Sequence, residues 1–446
     1  MDGESANRLL RLIRSREATV GVVGLGYIGL PTASILADVG FTVLGMDVDP
    51  KKVTALNSGE CYIKEDRLAE IISSVVRQGR LSAVADYGSL VKCNVLIFCV
   101  QTPSSPDGSP DLSFLFSAVN GVIPHARTPL LVICESTVPP GTTQRVLDEF
   151  VSRRGLVPDR DIWVAHCPER VLPGHVIEEF RNNSRVIGGV TESSAAMARL
   201  LYESFLPPDK IVTTTSTVSE FAKLAENTFR DVNISLANEL AKIADSLQVD
   251  ISEVIRIANM HPRVNIHTPG VGVGGHCLPK DPLLLTSTSA GHGFTPELIP
   301  LARRINSDMP RYVVHRLSNV LTSEGRDLRG LRVLVLGTSF KENVDDTRNS
   351  PSMDLIALLR AAGAIVKAND PYSCERFGAD DTGLEEGINW ADVIILAVAH
   401  REYLVRLPLI DMSSKVFVDG RNAIRAGAIN ARLYFGVGRP VTRSGN

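Results

Sequence analysis

The sequence is short of several things, and each shortage removes a class of protein. Its seven cysteines (Cys61, Cys93, Cys99, Cys134, Cys167, Cys277 and Cys374) are odd in number, scattered and without a CxxC pair, which argues against a disulfide framework and against a zinc site. A reducing compartment is the expected setting. No run approaches the roughly 18 apolar residues needed to span a bilayer. The first residues, MDGESANRLLRLIRSREATV, place charges among apolar positions at helical spacing and lack both an uninterrupted apolar core and a small-residue cleavage site. We therefore expect a cytoplasmic protein. Charge of one sign is lacking too: a formal net charge of -3 gives no support for a nucleic-acid or membrane partner. Aromatics are only 5% of the chain, but 44% hydrophobic and 22% charged residues are ordinary for a globular protein. A length of 446 residues exceeds one core and suggests two or three domains.

What is present is alternation. From Thr19 the β-type runs TVGVVG, FTVLGMDVD, VLIFCV, LLVICEST, DIWVAHCPE and SRVIGGV are separated by helical stretches, a pattern that predicts a mostly parallel sheet covered on both faces. Residues 216–247 then run without Gly or Pro, with apolar positions recurring at three and four, so one long helix is expected. A shorter helix over 251–260, a Pro- and Gly-rich loop and further helical text lead to about Glu324. A second α/β segment opens with LRGLRVLVLGTSFKENVDDTR and continues through AIVKAND, DVIILAV and KVFVDG. The expected fold is two Rossmann-like parallel-sheet domains, 1–215 and 325–446, joined by a long central helix and helical segment, 216–324. The tail GRPVTRSGN is expected to fray.

Gly24, Gly26 and Gly29 in VVGLGYIGLP follow a strand and open a helix, and Asp47 closes the next strand. In that context the glycines admit a pyrophosphate to a helix N-terminus, while Asp47 accepts the adenosine ribose hydroxyls. A carboxylate there repels the extra phosphate of NADP, so NAD is the expected cofactor. Lys52 either reaches the same ribose or is a surface lysine at a helix start.

Cys277 lies in GVGVGGHCLPKDP, where glycines allow close approach and Pro279 announces a helix. A thiol at a helix N-terminus ionises more readily, which suits a nucleophile. Asp281 follows at helical spacing. Lys223 and Asn227 share that spacing on the long helix and together offer a cation and an amide to a developing oxyanion. The other six cysteines are expected as small buried hydrophobes. His276 is given no proton-transfer role.

The stretches GLGYIGLP, TPSSPDG, ESTVPPGTT, CPERVLPG, FAKLAENTFRDVNISLANE, HPRVN, GVGGHCLPKDP and FKENVDDTRNSP occur in the order seen in the UDP-glucose and GDP-mannose dehydrogenase family. The chain resembles that family over roughly residues 18–430, and HPRVN with His276 resembles its N-acetylated-sugar branch. Lys280 stands where that branch often has an apolar residue. The resemblance implies a homodimeric or larger enzyme that uses NAD to oxidise the C6 alcohol of a UDP-sugar to a uronate. UDP-N-acetylmannosamine is the first choice, with UDP-N-acetylglucosamine or UDP-glucose as alternatives. It further implies that Cys277 is the nucleophile, that Lys223 and Asn227 hold the substrate oxygen, and that Asp281 assists proton transfer. Thr137 and Glu169 serve thioester hydrolysis. Tyr27, Ile28, Thr102, Thr137 and Arg348 join the cofactor site. Glu169, Arg170, Gly274, Lys341, Arg421 and Arg263, the last across a dimer interface, join the substrate site. For the arginines a plain ion pair is the competing reading. Two other functions stay open: a two-electron hydroxyacid dehydrogenase, which needs no thiol, and a nucleotide sensor on the same fold.

Overall fold

Val95–Phe98 and Leu130–Cys134 are buried at every position, as parallel strands covered on both faces must be. In the computed structural model, which describes residues 3–63, 65–105, 108–171, 174, 176–290, 293–425 and 427–443, they are the middle strands of an eight-stranded sheet. Its strands are β1 (Thr19–Val23), β2 (Thr42–Met46), β3 (Leu81–Val84), β4 (Val95–Phe98), β5 (Leu130–Cys134), β6 (Ile162–His166), β7 (Arg185–Gly189) and β8 (Ile211–Thr215), in the order β3-β2-β1-β4-β5-β6-β7-β8. All neighbours are parallel except β6 and β7. The order reverses between β1 and β4, the switch point at which such sheets bind ligands.

A second sheet holds β9 (Arg332–Leu336), β10 (Ile365–Asn369), β11 (Asp380–Asp381), β12 (Val393–Leu396), β13 (Met412–Asp419), β14 (Ala431–Gly436) and β15 (Arg439–Arg443), in the order β11-β10-β9-β12-β13-β14-β15. Two doubly wound sheets are therefore present, as expected, and Ser216–Leu247 is one helix of 32 residues. Two compact units result: Met1–Ala225 with Ser287–Gly293, and Glu226–Thr286 with Phe294–Asn446.

The two first strands end alike. Gly24 at φ 92 and Gly337 at φ 96 each donate an N–H across the sheet, to Met46 and Asn369 at 2.8 Å. In each case a carboxylate ending the second strand accepts the next N–H, Asp47 from Leu25 at 2.8 Å and Asp370 from Thr338 at 2.7 Å. Asp370 also accepts from the N–H groups of Ser339 (3.0 Å), Tyr372 (2.8 Å) and Ser373 (2.9 Å) and from His400 Nε2 (3.0 Å). Burial by itself would raise its carboxyl, but the His400 bond and the amides outweigh it and hold it well below the usual carboxylate range.

Two expectations are corrected. The tail does not fray where it is described: Arg439–Arg443 is a strand antiparallel to β14. Buried Arg439 anchors it, donating to the Ile424 carbonyl at 2.7 Å and to Asp250 at 3.2 Å. Residues 444–446 lie outside the described chain, as do 106–107 of TPSSPDG and 172–173 of CPERVLPG. The other six cysteines are not all core residues either, since Cys374 is exposed. Burial pushes the thiols of Cys93 and Cys167 up to about 12, which leaves them inert.

Candidate active site

At the first switch point a Cβ on Gly24 would lie 2.9 Å from the Cys99 carbonyl oxygen, and one on Gly29 1.8 Å from that of Gly24. Packing alone requires both glycines. Gly26 is different, because a Cβ there would meet nothing within 4 Å. That room is what a pyrophosphate needs to reach the backbone before the helix Gly29–Asp38. Tyr27 is exposed beside it and Ile28 is the residue that leads into the helix. Asp47 accepts from Leu25 N–H, from Asp49 N–H at 3.0 Å and from Lys52 Nζ at 3.1 Å. A carboxylate has about four acceptor positions, so Asp47 keeps capacity for a ribose hydroxyl, and Lys52 faces the same group. These residues fit NAD. Asp47→Asn is expected to narrow the preference for NAD over NADP, read as the ratio of kcat/KM for the two cofactors. An unchanged ratio would mean that Asp47 does not face the ribose.

The loops after β4 and β5 are tied together at the same sheet edge. Thr102 Oγ1 donates to the Thr137 carbonyl and Ser136 Oγ to the Val100 carbonyl, both at 2.7 Å. The helix Thr142–Arg154 starts at Gly141, which has no side chain to cap it. Glu220 of the long helix supplies the acceptor instead, taking the N–H groups of Gly141 (2.6 Å) and Thr143 (2.7 Å) and the Thr143 hydroxyl (2.5 Å). One residue earlier, Ser219 meets His166 Nδ1 at 2.9 Å, while His166 Nε2 faces the Ser136 carbonyl at 3.3 Å. Burial lowers this imidazole to about 3, so it is a neutral strut. Ser219 and Glu220 thus fix the Thr137 and Glu169 loops to the helix that carries Lys223. The Glu169 carboxyl is raised to about 7 by burial, against the opposing cations Lys223 and Arg185. Thr102, Thr137, Glu169 and Lys223 are therefore gathered by one unit. Arg170, next in the chain, donates to the Ser184 carbonyl at 3.2 Å.

The thiol belongs to the other unit. Cys277 is exposed, and its carbonyl accepts the N–H groups of Lys280 (3.1 Å) and Asp281 (2.8 Å), the turn that starts the helix Asp281–Ala290. Asp281, fully buried, takes Asn227 Nδ2 on one oxygen and Lys280 Nζ on the other, both at 2.6 Å. The loop before Cys277 is sewn to the segment after β9: Gly275 N–H meets the Arg348 carbonyl at 2.9 Å and Asn349 Nδ2 the Gly275 carbonyl at 3.0 Å. A Cβ on Gly274 would lie 2.5 Å from the Asn349 carbonyl oxygen, and one on Gly270 2.6 Å from Arg421 Nη1. The same loop lines a cleft with Ser339, Phe340, Lys341 and Arg421. Arg348 is paired with Asp346 at 2.5 Å. Arg263 sits on an exposed turn closed by Val264 N–H on the His261 carbonyl at 3.0 Å, outside these contacts around Cys277.

Comparison with known proteins decides the family. Residues 18–206 match the NAD binding domain of the UDP-glucose/GDP-mannose dehydrogenase family, 217–308 its central domain and 334–426 its UDP binding domain. The chain belongs to this family. It is an NAD-dependent nucleotide-sugar dehydrogenase. A UDP-N-acetyl-D-mannosamine dehydrogenase of Pyrococcus horikoshii is 43% identical over 423 residues, 94% of this chain and 99% of that one. A solved structure of the UDP-D-ManNAc dehydrogenase from the same organism superposes with a TM-score of 0.88 at 40% identity, covering 94% and 99% of the two chains. A UDP-glucose dehydrogenase from Pyrobaculum islandicum gives 0.85 at 31%, covering 95% and 98%. Among the described residues no helix is long and apolar enough to cross a membrane.

Within this family frame the sequence reading missed several side chains. Lys280 stood out only as a departure, and the adjacent Asp281 was the sole hint that it forms a buried pair. Glu220 and His166 gave no signal, because a helix cap supplied from another element has no spacing rule. Asn343 is likewise unmarked, yet its N–H meets His400 Nδ1 at 2.9 Å and its Oδ1 the Arg401 N–H at 2.9 Å, which steadies the loop carrying Lys341.

Proposed function

We propose that the chain oxidises UDP-N-acetyl-D-mannosamine to UDP-N-acetyl-D-mannosaminuronate, with four electrons removed at C6. The observation that carries this reading is the exposed thiol of Cys277 on a glycine loop sewn to the wall of the Lys341 and Arg421 cleft. The named relatives favour the mannosamine sugar, while UDP-N-acetylglucosamine and UDP-glucose are the alternatives. NAD bound at the Gly24–Gly29 loop supplies the acceptor for each of the two hydrides. Lys341, Arg421, Gly274, Arg170 and a partner copy's equivalent of Arg263 hold the nucleotide sugar, with Arg348 near the cofactor. Lys223 and Asn227 stabilise the C6 oxygen as charge develops on it, a contribution of about 3 kcal/mol per donor. The Cys277 thiolate adds to the C6 aldehyde, and oxidation of that thiohemiacetal leaves a thioester. Glu169 and Thr137 direct a water at the thioester carbon, releasing the carboxylate and the thiol, while Asp281 assists proton transfer. Counting NADH per sugar across a panel of UDP-sugars tests this: two are expected. One NADH per sugar, with Cys277→Ser fully active, would favour the hydroxyacid-dehydrogenase reading, and saturable NAD binding without turnover would favour a sensor.

The segments 1–215, 216–324 and 325–446 are assigned to cofactor, dimerisation and UDP-sugar. Phe229, Leu236 and Ile243 recur every seven residues on the long helix and are 46–58% exposed, and Leu247, Ile257 and Met260 extend the apolar surface. Such a stripe fits a second copy of itself. A homodimer in the cytoplasm is the expected state, and a concentration-independent monomer in analytical ultracentrifugation would exclude it.

A further inference from the structure

Between the helix Ile251–Ala258 and the helix Asp281–Ala290 the chain has no regular element, and four of the residues just before Cys277 are glycines (Gly270, Gly272, Gly274, Gly275). Such a loop has large intrinsic freedom, so the position of the thiol depends on what pins the backbone. One buried polar chain does so at two places. Asn238 Oδ1 accepts the Gly270 N–H at 2.9 Å, and Asn238 Nδ2 donates to Asn306 Oδ1 at 2.9 Å. Asn306 Nδ2 donates to both the carbonyl and Oδ1 of Asp231 at 2.9 Å. Arg303 Nη1 pairs with the same Asp231 oxygen and reaches the Leu278 carbonyl, one residue past the thiol, at 3.4 Å. Midway along the loop a Cβ on Gly272 would stand 3.2 Å from the Asn306 carbonyl oxygen. Asn238, Asn306 and Asp231 are 0% exposed, so water cannot replace their partners.

The chain has a direction. Because Asn238 must accept from Gly270, its amide nitrogen faces Asn306, whose own nitrogen is thereby turned to Asp231. Only an amide both accepts and donates at the two middle positions; a carboxylate at either loses the donation, and one at 306 also faces Asp231 as a like charge. We propose that Asn238, Asn306, Asp231 and Arg303 are positioning residues that hold the Cys277 loop at the setting in which the thiol reaches the C6 carbon. This deepens the reading of Cys277 as the nucleophile and rests on it.

The test uses the full-length protein with Asn238→Asp, Asn306→Asp and Arg303→Lys. Each is measured for thermal unfolding, for kcat and KM with NAD and UDP-sugar, and for the rate at which iodoacetamide alkylates Cys277, read by peptide mass spectrometry. We expect kcat to fall roughly tenfold to a hundredfold with KM within about twofold, and the alkylation rate to change several-fold. Wild-type kcat and alkylation in folded variants overturn the proposal, as does a fall in kcat that mirrors a rise in KM for the sugar. If the two Asn variants do not fold, Arg303→Lys, which keeps the charge opposite Asp231, decides alone by the same criteria. Failure of the nucleophile reading looks different: Cys277→Ser would then turn over normally. With Cys277→Ser inactive and all three variants at wild-type values, only the positioning role falls.

Discussion

Cys277→Ser is expected to bind NAD and the UDP-sugar as the parent does and to lose steady-state turnover. Binding survives because the Gly24 loop, Lys341 and Arg421 are untouched. Turnover does not, because a serine hydroxyl is a far poorer nucleophile at neutral pH than a thiol. The first oxidation needs no covalent bond, so a small burst of NADH precedes the stall, and a slowly released hemiacetal or ester is trapped. Intact-protein mass spectrometry under turnover, combined with NADH counting, checks this. Near wild-type turnover would remove Cys277 from the mechanism. Asp281→Asn leaves the thiol in place and is expected to cost about 10²-fold through weakened proton transfer. Its effect is compounded because Lys280 would then lose its buried partner.

The second large effect is expected at Glu169. Burial raises its carboxyl from 4.5 to about 7, so in its proposed role of taking a proton from water it becomes competent only as pH rises through about 7. The hydrolytic step should accelerate across that range. Glu169→Gln should lower it by roughly 10²-fold to 10⁴-fold, abolish that rise with pH, and leave an acyl adduct on Cys277 visible by mass. A variant that keeps the same pH dependence would show that another group activates the water. The stability linkage has the opposite sense. A folded value above the unfolded one means that the contribution of this group to stability is fully present below about 4.5 and is lost as pH rises through about 7. Activity and stability at this residue therefore pull in opposite directions near neutrality.

Most of the fold was legible because its strands are written as uninterrupted apolar runs and its long helix as a stretch without breakers. Apart from β14, the apolar ARLYFG, what escaped were strands without that signature. β3 is LSAV, β8 is IVTTT with three of its five residues exposed, and β15 is RPVTR, ordered by one buried arginine rather than by apolar residues. At the site, motif residues were readable wherever a chemical need fixes both type and spacing, as in the Gly24–Gly29 turn. The residues that hold those motifs in place were not. Glu220 lies 77 positions from Thr143, and Asn306 lies 68 from Asn238; contacts at such separations leave no periodic trace, and a buried asparagine in a helix reads as a poor helix former until its partner is seen.

The paired carboxylates at the ends of β2 and β10 differ in what they have left to offer a ligand. The chain builds the same strand end and acidic residue twice, although only the first turn, GLGYIG, carries the second and third glycines that GTSFKE lacks. The second acid is filled from within. Asp370 already accepts from four amides and one imidazole, more donors than the roughly four positions a carboxylate presents. A ribose arriving there would find no acceptor, whereas Asp47, with three donors, still has one to give. Saturating an acid with the protein's own hydrogens thus leaves only one of the two turns with an acceptor to spare.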